Sequence, residues 1–278
     1  MEQLFKDTCM QCSKVITQAY STSFSLGIKT LDKKFHMPIY AIYGFVRCAD
    51  EIVDTFHDHD KRKLLGDFQK QTFQAIGEKL SLNPVLHAFQ CVVNEYDIPK
   101  AYIEAFLKSM AMDLDDHVYN RALYEEYIYG SAEVVGLMCL KVFCEGDEAM
   151  FERLEKPARS LGAAFQKVNF LRDMKSDYKE RGRVYFPKVE YKSFSNKCKA
   201  KIEADIKQDF SDAYEGIMGL PRSAKMGVYM AYVYYLKLFN KIQDLPATHI
   251  LEERVRVPDN TKLALLFSSY VKYRLNAI

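Results

Sequence analysis

Apolar residues recur at spacings of three and four along nearly the whole chain, the period of helices that bury one face. The pattern predicts helices over roughly 3–20, 36–56, 61–80, 84–95, 99–118, 121–143, 147–178, 196–217, 221–243 and 260–275. Pro38, Pro84, Pro99 and Pro221 fall near block starts, where proline is tolerated. "DNTKLALL", from Asp259, reads as the capped start of the last helix. The periodicity breaks at "RGRVYFPKVEYKSF", where Gly182 and Pro187 punctuate the chain. No stretch alternates in the manner of a half-buried strand, and no linker or repeat divides the sequence. The expectation is an all-α bundle of many helices in a single domain spanning residues 1–278.

Composition agrees with that expectation. With 278 residues, 49% of them hydrophobic, the chain can bury a sizeable core, and 12 glycines and 8 prolines are few for its length. The 39 basic and 37 acidic residues leave a net charge of +2, so bulk electrostatics give no case for nucleic-acid binding. Seven cysteines, an odd number scattered through helical patterns, fit a reducing compartment better than a disulfide framework. Cys9 and Cys12 in "CMQC" have the spacing of a metal or redox pair, but no second pair follows, and two small positions on one helix is the simpler reading. The charged start "MEQLFKDTCMQC" lacks the apolar segment of a signal peptide. "VYMAYVYYLKLF" is short and broken by Lys237, so no membrane span is expected. A cytoplasmic protein is expected, with peripheral contact at a membrane surface left open.

Two helical faces carry acids where apolar residues are due. In "HMPIYAIYGFVRCADEIVDTF", helical projection puts Ile39, Tyr43, Val46, Asp50 and Asp54 on one stripe, bordered by Arg47. Two carboxylates about 6 Å apart repel by roughly 3 kcal/mol at an effective dielectric of about 20, and desolvation adds to this. Arg47 offsets part of the cost; a divalent cation would offset most of it, and hard oxygen ligands suit Mg²⁺. In "LGAAFQKVNFLRDMKSDYKERGRVYFP", the same projection aligns Ala158, Gly162, Phe165, Gln166, Asn169, Asp173 and Asp177. A lone acidic pair on a helix is commonly a solvated surface. Two such faces, each continuing an apolar stripe, point to a metal clamp for a polyanion such as a diphosphate, with a greasy remainder in the cavity.

These segments resemble the head-to-head prenyl synthases, the phytoene, squalene and dehydrosqualene synthases, over nearly the whole chain. "YSTSFSLGIKTL" is similar to the family's entry segment and "YAIYGFVRCADEIVD" to its first aspartate-rich motif. "MAMDLDD", followed by Tyr119, resembles the segment before the central helix, and "YIYGSAEVVGLM" the Tyr/Gly helix, with Tyr127 and Gly136 in place. "FQKVNFLRDMKSDYKERGRVYFP" resembles the second motif, and its R-G-R-x-Y-x-P extension is highly specific. The chain departs from many relatives at Ala132-Glu133, where they carry Ala-Gly.

The resemblance implies a class I isoprenoid synthase bundle around a central cavity for two prenyl diphosphates. It assigns Asp50, Asp54, Asn169, Asp173 and Asp177 to Mg²⁺, with Mn²⁺ as a substitute ion. Asp50, Asp54, Asp173, Asp177 and Tyr127 become the catalytic set. Ser21, Ser23, Phe24, Tyr43, Arg47, Gln166, Asn169 and Arg183 become the substrate-binding set, with Arg172 and Arg181 as further phosphate candidates. Tyr43, Tyr127, Phe24, Phe165 and Tyr234 or Tyr235 are candidate cavity walls that face a carbocation. The implied reaction joins two geranylgeranyl diphosphates through a cyclopropylcarbinyl diphosphate to phytoene, without NADPH. The alternative is a squalene or dehydrosqualene synthase acting on two farnesyl diphosphates, with NADPH needed for squalene. A non-catalytic helical binding protein and a single-substrate terpene cyclase rank below these: both acidic faces are intact, and the R-G-R-x-Y-x-P extension argues against a cyclase. The insoluble product suggests release at a membrane; oligomeric state is left open. His57 and His59 in "FHDHDKR" read as a solvated loop, Asp113 as a residue lining the site, Asp115 and Asp116 as surface, and Arg254, Arg256 and Lys262 as basic groups near the diphosphate.

Overall fold

The computed structural model describes residues 1–115 and 118–258, the side chain of Arg181 excepted, together with residues 265, 268, 269, 272 and 273. Helices follow one another as α1 (Glu2–Tyr20), α2 (Thr22–Lys29), α3 (Lys33–Asp54), α4 (Lys61–Glu78), α5 (Pro84–Glu95), α6 (Lys100–Met112), α7 (Arg121–Ile128), α8 (Val134–Cys144), α9 (Glu148–Arg181), α10 (Asn196–Gly219), α11 (Arg222–Gln243) and α12 (Ala247–Glu252). A single π-helical turn, Tyr129–Glu133, joins α7 to α8. Among the described residues there is no strand.

The sequence sets these boundaries through identifiable caps. Ser21, Asp32, Asp60, Asn83, Asn120, Asp147 and Ser195 each accept a backbone N–H in the first turn of the helix they precede. Gly182 ends α9 at φ 66°, a left-handed conformation that a side chain would disfavour. Several expectations shift. Asp32 starts α3 earlier than the pattern suggests, so Pro38 lies inside the helix and not at its start. The block expected over 99–118 stops at Met112, where Asp113 caps it. Helices α2 and α12, of 8 and 6 residues, have no counterpart among the expected blocks. The block over 260–275, with its "DNTKLALL" cap and Lys262, falls outside the described residues apart from the positions named above, as does Asp116.

Two apolar cores flank the molecule's centre. One gathers α1, α3, α4, α5, α6 and α8 around Phe45, whose ring stacks on Phe89 at 3.9 Å and meets Phe106 at 5.5 Å. The other gathers α7, α9, α10, α11 and α12 around Phe170, Tyr185, Phe210 and Phe239. Buried Lys167 ties α9 to α10 by bonds of 2.6 and 2.7 Å to Asp205 and Asp209. Helix α9 crosses the π turn at Gly162, where a Cβ would stand 2.7 Å from the Ala132 carbonyl oxygen. The wide turn carries Ser131 and Ala132 to the seam between the cores. By length and composition the run Arg121–Cys144 could cross a membrane, but 56% of its apolar window is buried inside the bundle, as in a core helix.

Candidate active site

The seam between the cores opens into three adjoining cavities. The innermost, about 290 Å³, is walled by Ile28, Leu31, Ile39, Phe143, Leu154 and Leu220 among other apolar residues of α2, α3 and α8–α11. It shares Ser23, Phe24, Gly27 and Ala231 with a throat of about 230 Å³, lined also by Ser21, Tyr43, Tyr234 and Tyr235. The throat in turn shares Arg172 and Tyr234 with an outer cleft of about 410 Å³, which adds Arg254 and Arg256. Along this series the lining passes from apolar to arginine-rich.

Stacked aromatic pairs stand at the throat. Phe24 lies on Tyr43 at 4.7 Å and Phe165 on Tyr235 at 3.9 Å. The Tyr235 hydroxyl donates to Asn169 Oδ1 at 3.3 Å. Ser21 caps α2 and also hydrogen-bonds Tyr43, whose phenol burial pushes upward in pKa. Of the expected cavity walls, Tyr43, Phe24, Phe165, Tyr234 and Tyr235 line the inner cavity or the throat. Gln166 is half-buried on the same stripe as Asn169.

The acidic faces are laced with arginine. On α3, Arg47 donates to Asp50 and to Glu51 and lies over the Tyr20 ring at 4.3 Å. On α9, Arg172 Nε reaches both Asp173 oxygens, at 3.0 and 3.1 Å, and Arg254 Nε approaches Asp173 Oδ1 at 2.7 Å. Behind both faces lies Asp113, 7% exposed. It accepts from Tyr127 at 2.7 Å, from Arg183 Nη1 at 3.1 Å and from Tyr185 at 3.3 Å, while Arg183 also donates to the Asp113 carbonyl. Burial outweighs these partners and, with the charge of Asp54 nearby, pushes the Asp113 carboxyl up to about 6. Burial raises the Tyr185 phenol, and the charges of Asp113 and Asp177 add to that shift. Asp54 and Asp177, from opposite acidic faces, therefore both converge on this buried knot.

Tyr127 thus stands apart from the cavity walls: it is 5% exposed, packed against Tyr119, Phe170 and Tyr185, and bonded to Asp113. Arg183 likewise turns its fork inward to Asp113. Arg47 and Arg183 each retain a buried Nε–H with no hydrogen-bond partner. Glu133 is occupied away from the cavity, accepting from Arg159 Nε at 2.6 Å, with that guanidinium 5.1 Å from the Tyr129 ring. Sequence reasoning missed Glu51, although its place four residues after Arg47 was a usable signal. It also missed the Arg254–Asp173 and Arg183–Asp113 pairs, which link positions far apart in the chain and leave no local trace. The His57–His59 segment is exposed, as expected.

Among the described residues, no three His, Cys, Asp or Glu side chains stand close enough to share one ion. The donors are all hard oxygens. They fit an ion that takes one or two carboxylates from the protein and the rest of its shell from water and phosphate, as Mg²⁺ does, better than one that needs a closed protein cage.

Comparison with known proteins agrees with this architecture. Residues 17–261 match the squalene/phytoene synthase family. The chain is 26% identical to a 15-cis-phytoene synthase of Pantoea ananas, over 90% of its own length and 87% of the relative's. It is 27% identical to a 4,4'-diapophytoene synthase of Staphylococcus haemolyticus, over 70% of its length and 67% of the relative's. A crystal structure of a dehydrosqualene synthase in complex with ligand superposes with a TM-score of 0.83 at 22% identity, covering 98% of both chains. With a family match across most of its length and the same all-α fold, the chain belongs to the squalene/phytoene synthase family of prenyltransferases.

Proposed function

We propose that the protein joins two geranylgeranyl diphosphates head to head, through a cyclopropylcarbinyl diphosphate, to give phytoene. The observation that carries the reading is an apolar cavity joined, through an aromatic throat, to an arginine-lined cleft, which suits a prenyl chain with a diphosphate head. The phytoene synthase relatives support the choice of the twenty-carbon diphosphate.

Asp50, Asp54, Asn169, Asp173 and Asp177 would hold Mg²⁺, which supplies Lewis-acid neutralisation of the departing diphosphate. Arg172 and Arg254, which line the outer cleft, present guanidinium forks to phosphate oxygens. Asn169, held by Tyr235, aligns the donor chain with the throat. Ionisation leaves an allylic cation between the Phe24–Tyr43 and Phe165–Tyr235 pairs, whose ring faces attract positive charge. The apolar inner cavity keeps water from quenching it. The second chain attacks through its double bond and a proton leaves to close the cyclopropane. A second ionisation then releases the other diphosphate, and the rearranged cation loses a proton to give the linear hydrocarbon, the released diphosphates being the proton acceptors that the reaction itself supplies. NADPH has no role in this sequence. The product is insoluble, so its release at a membrane surface belongs to the same proposal.

A second reading, two farnesyl diphosphates to a thirty-carbon product, is favoured by the diapophytoene synthase relative. Incubation with Mg²⁺ and each diphosphate, with and without NADPH, separates the two. A forty-carbon hydrocarbon as the preferred product is expected; a thirty-carbon one would refute the phytoene assignment. Asp50→Ala and Asp173→Ala are expected to abolish turnover while circular dichroism stays helical, and near-wild-type activity in either would remove the metal-clamp reading.

A further inference from the structure

Asp173 is held from two sides. Arg172 reaches it from the same helix, and Arg254 reaches it from an extended strap that follows α12. The strap is anchored independently of that contact: Val255 and Val257 are buried, and the Arg256 carbonyl accepts from Lys241 Nζ at 2.8 Å. Just before it, the Leu251 carbonyl accepts from Tyr191 at 2.6 Å. The Arg254 side chain itself is 51% exposed and borders the outer cleft with Arg172 and Arg256. Its guanidinium can therefore turn from carboxylate to cleft without moving the strap.

The arrangement sets two ligands in opposition. A dication approaching Asp173 meets two guanidinium groups already on its oxygens. A diphosphate entering the cleft offers those same groups competing acceptors, and their transfer leaves Asp173 to the cation. We propose that Arg254 is an exchangeable counter-ion: it neutralises Asp173 in the anion-free protein and moves to phosphate oxygens when a diphosphate binds. Cation and anion binding are thereby coupled, and the carboxylate is presented to metal only when a leaving group is there to be neutralised. This rests on reading the acidic faces as a metal and diphosphate site, and it makes Arg254 a positioning residue for Asp173.

The test compares Arg254→Gln, Arg256→Gln and the wild-type chain with two probes measured separately. Mn²⁺ alone is titrated by the electron paramagnetic resonance of the free ion; inorganic diphosphate is titrated by calorimetry in EDTA. Arg254→Gln is expected to tighten Mn²⁺ by about two- to fivefold, the strength of a partly exposed pair, and to weaken diphosphate by several fold. Arg256→Gln removes the same charge from the same cleft without touching Asp173, and is expected to leave Mn²⁺ affinity within error of wild type. These opposite signs in one variant are the signature, because a merely structural ion pair would weaken both probes or neither. Equal tightening of Mn²⁺ in both variants, or none in Arg254→Gln, would overturn the exchange while leaving the site reading in place. Wild-type protein that binds neither probe would overturn the site reading and the exchange with it.

Discussion

Replacing Asp113 by Asn tests the buried knot that joins the two acidic faces. The carboxylate accepts from Tyr127, Arg183 and Tyr185, and Arg183 is itself only 13% exposed. Asparagine keeps the shape and one acceptor oxygen; at pH 5 the native carboxyl is mostly protonated, so the loss is one acceptor for the Tyr127, Arg183 and Tyr185 donors. Arg183 keeps the Asp113 carbonyl as partner, so the cost falls short of the ~3–5 kcal/mol of a fully broken buried pair. About 1–3 kcal/mol at pH 5 is expected. The pH dependence is the sharper readout. With the folded carboxyl at about 6, above its ordinary value of 3.8, the native state holds its proton where the unfolded chain has lost it. The resulting stabilisation is fully present below about pH 4 and is lost as pH rises through about 6. Between pH 5 and 7.5 wild type should lose ~1.4 kcal/mol relative to Asp113→Asn, which lacks this titration. Urea denaturation of both proteins at the two pH values gives the double difference, in which every other titrating group cancels. A gap between them that is the same at both pH values, or that widens as pH rises, would refute the reasoning.

Three further substitutions probe packing and cavity depth. Gly216→Ala places a Cβ 2.2 Å from the Pro157 Cβ at the crossing of α10 and α9, and should cost ~1–3 kcal/mol in urea denaturation. Gly66→Ala, in an open stretch of α4, should instead stabilise by ~0.5–1 kcal/mol. Leu31→Ala deepens the inner cavity beside Phe143 and Leu154. In a mixed incubation it should raise the use of twenty-carbon over fifteen-carbon diphosphate by roughly tenfold, within the usual reach of a hydrophobic pocket; an unchanged product ratio would place the limiting wall elsewhere.

Long amphipathic helices were legible in the sequence because their periodicity extends over many turns. The expected block 84–95 coincides with α5, whose Asn83 cap and Pro84 start both signals mark. Helices α2 and α12 were not legible, because 8 and 6 residues hold too few turns for a period to register. Pro38 misled for a physical reason: a proline marks a helix start when nothing upstream can cap one, and here Asp32 does, accepting from Lys34 N at 3.1 Å. At the site, the stripe positions of Asn169, Asp173 and Asp177 followed from spacing alone. The inward turn of Tyr127 and Arg183 did not, because it depends on Asp113, 14 residues from one and 70 from the other.

The knot around Asp113 also revises how the acidic stripes are tolerated. Two carboxylates continuing an apolar face call for positive charge, and a metal ion is the economical answer from sequence. The folded chain supplies a protein answer as well: Arg47 serves Asp50 and Glu51, Arg172 and Arg254 serve Asp173, and Arg183 serves the Asp113 carboxyl that feels Asp54. Asp50, Glu51, Asp173 and Asp113 are thus each held by a guanidinium of the chain itself. Under the proposed exchange the same pairing would keep an anion-free site from gathering cations strongly, and under the proposed function leaving-group activation would then wait for a diphosphate to be seated and for prenyl chain to replace water in the apolar cavity.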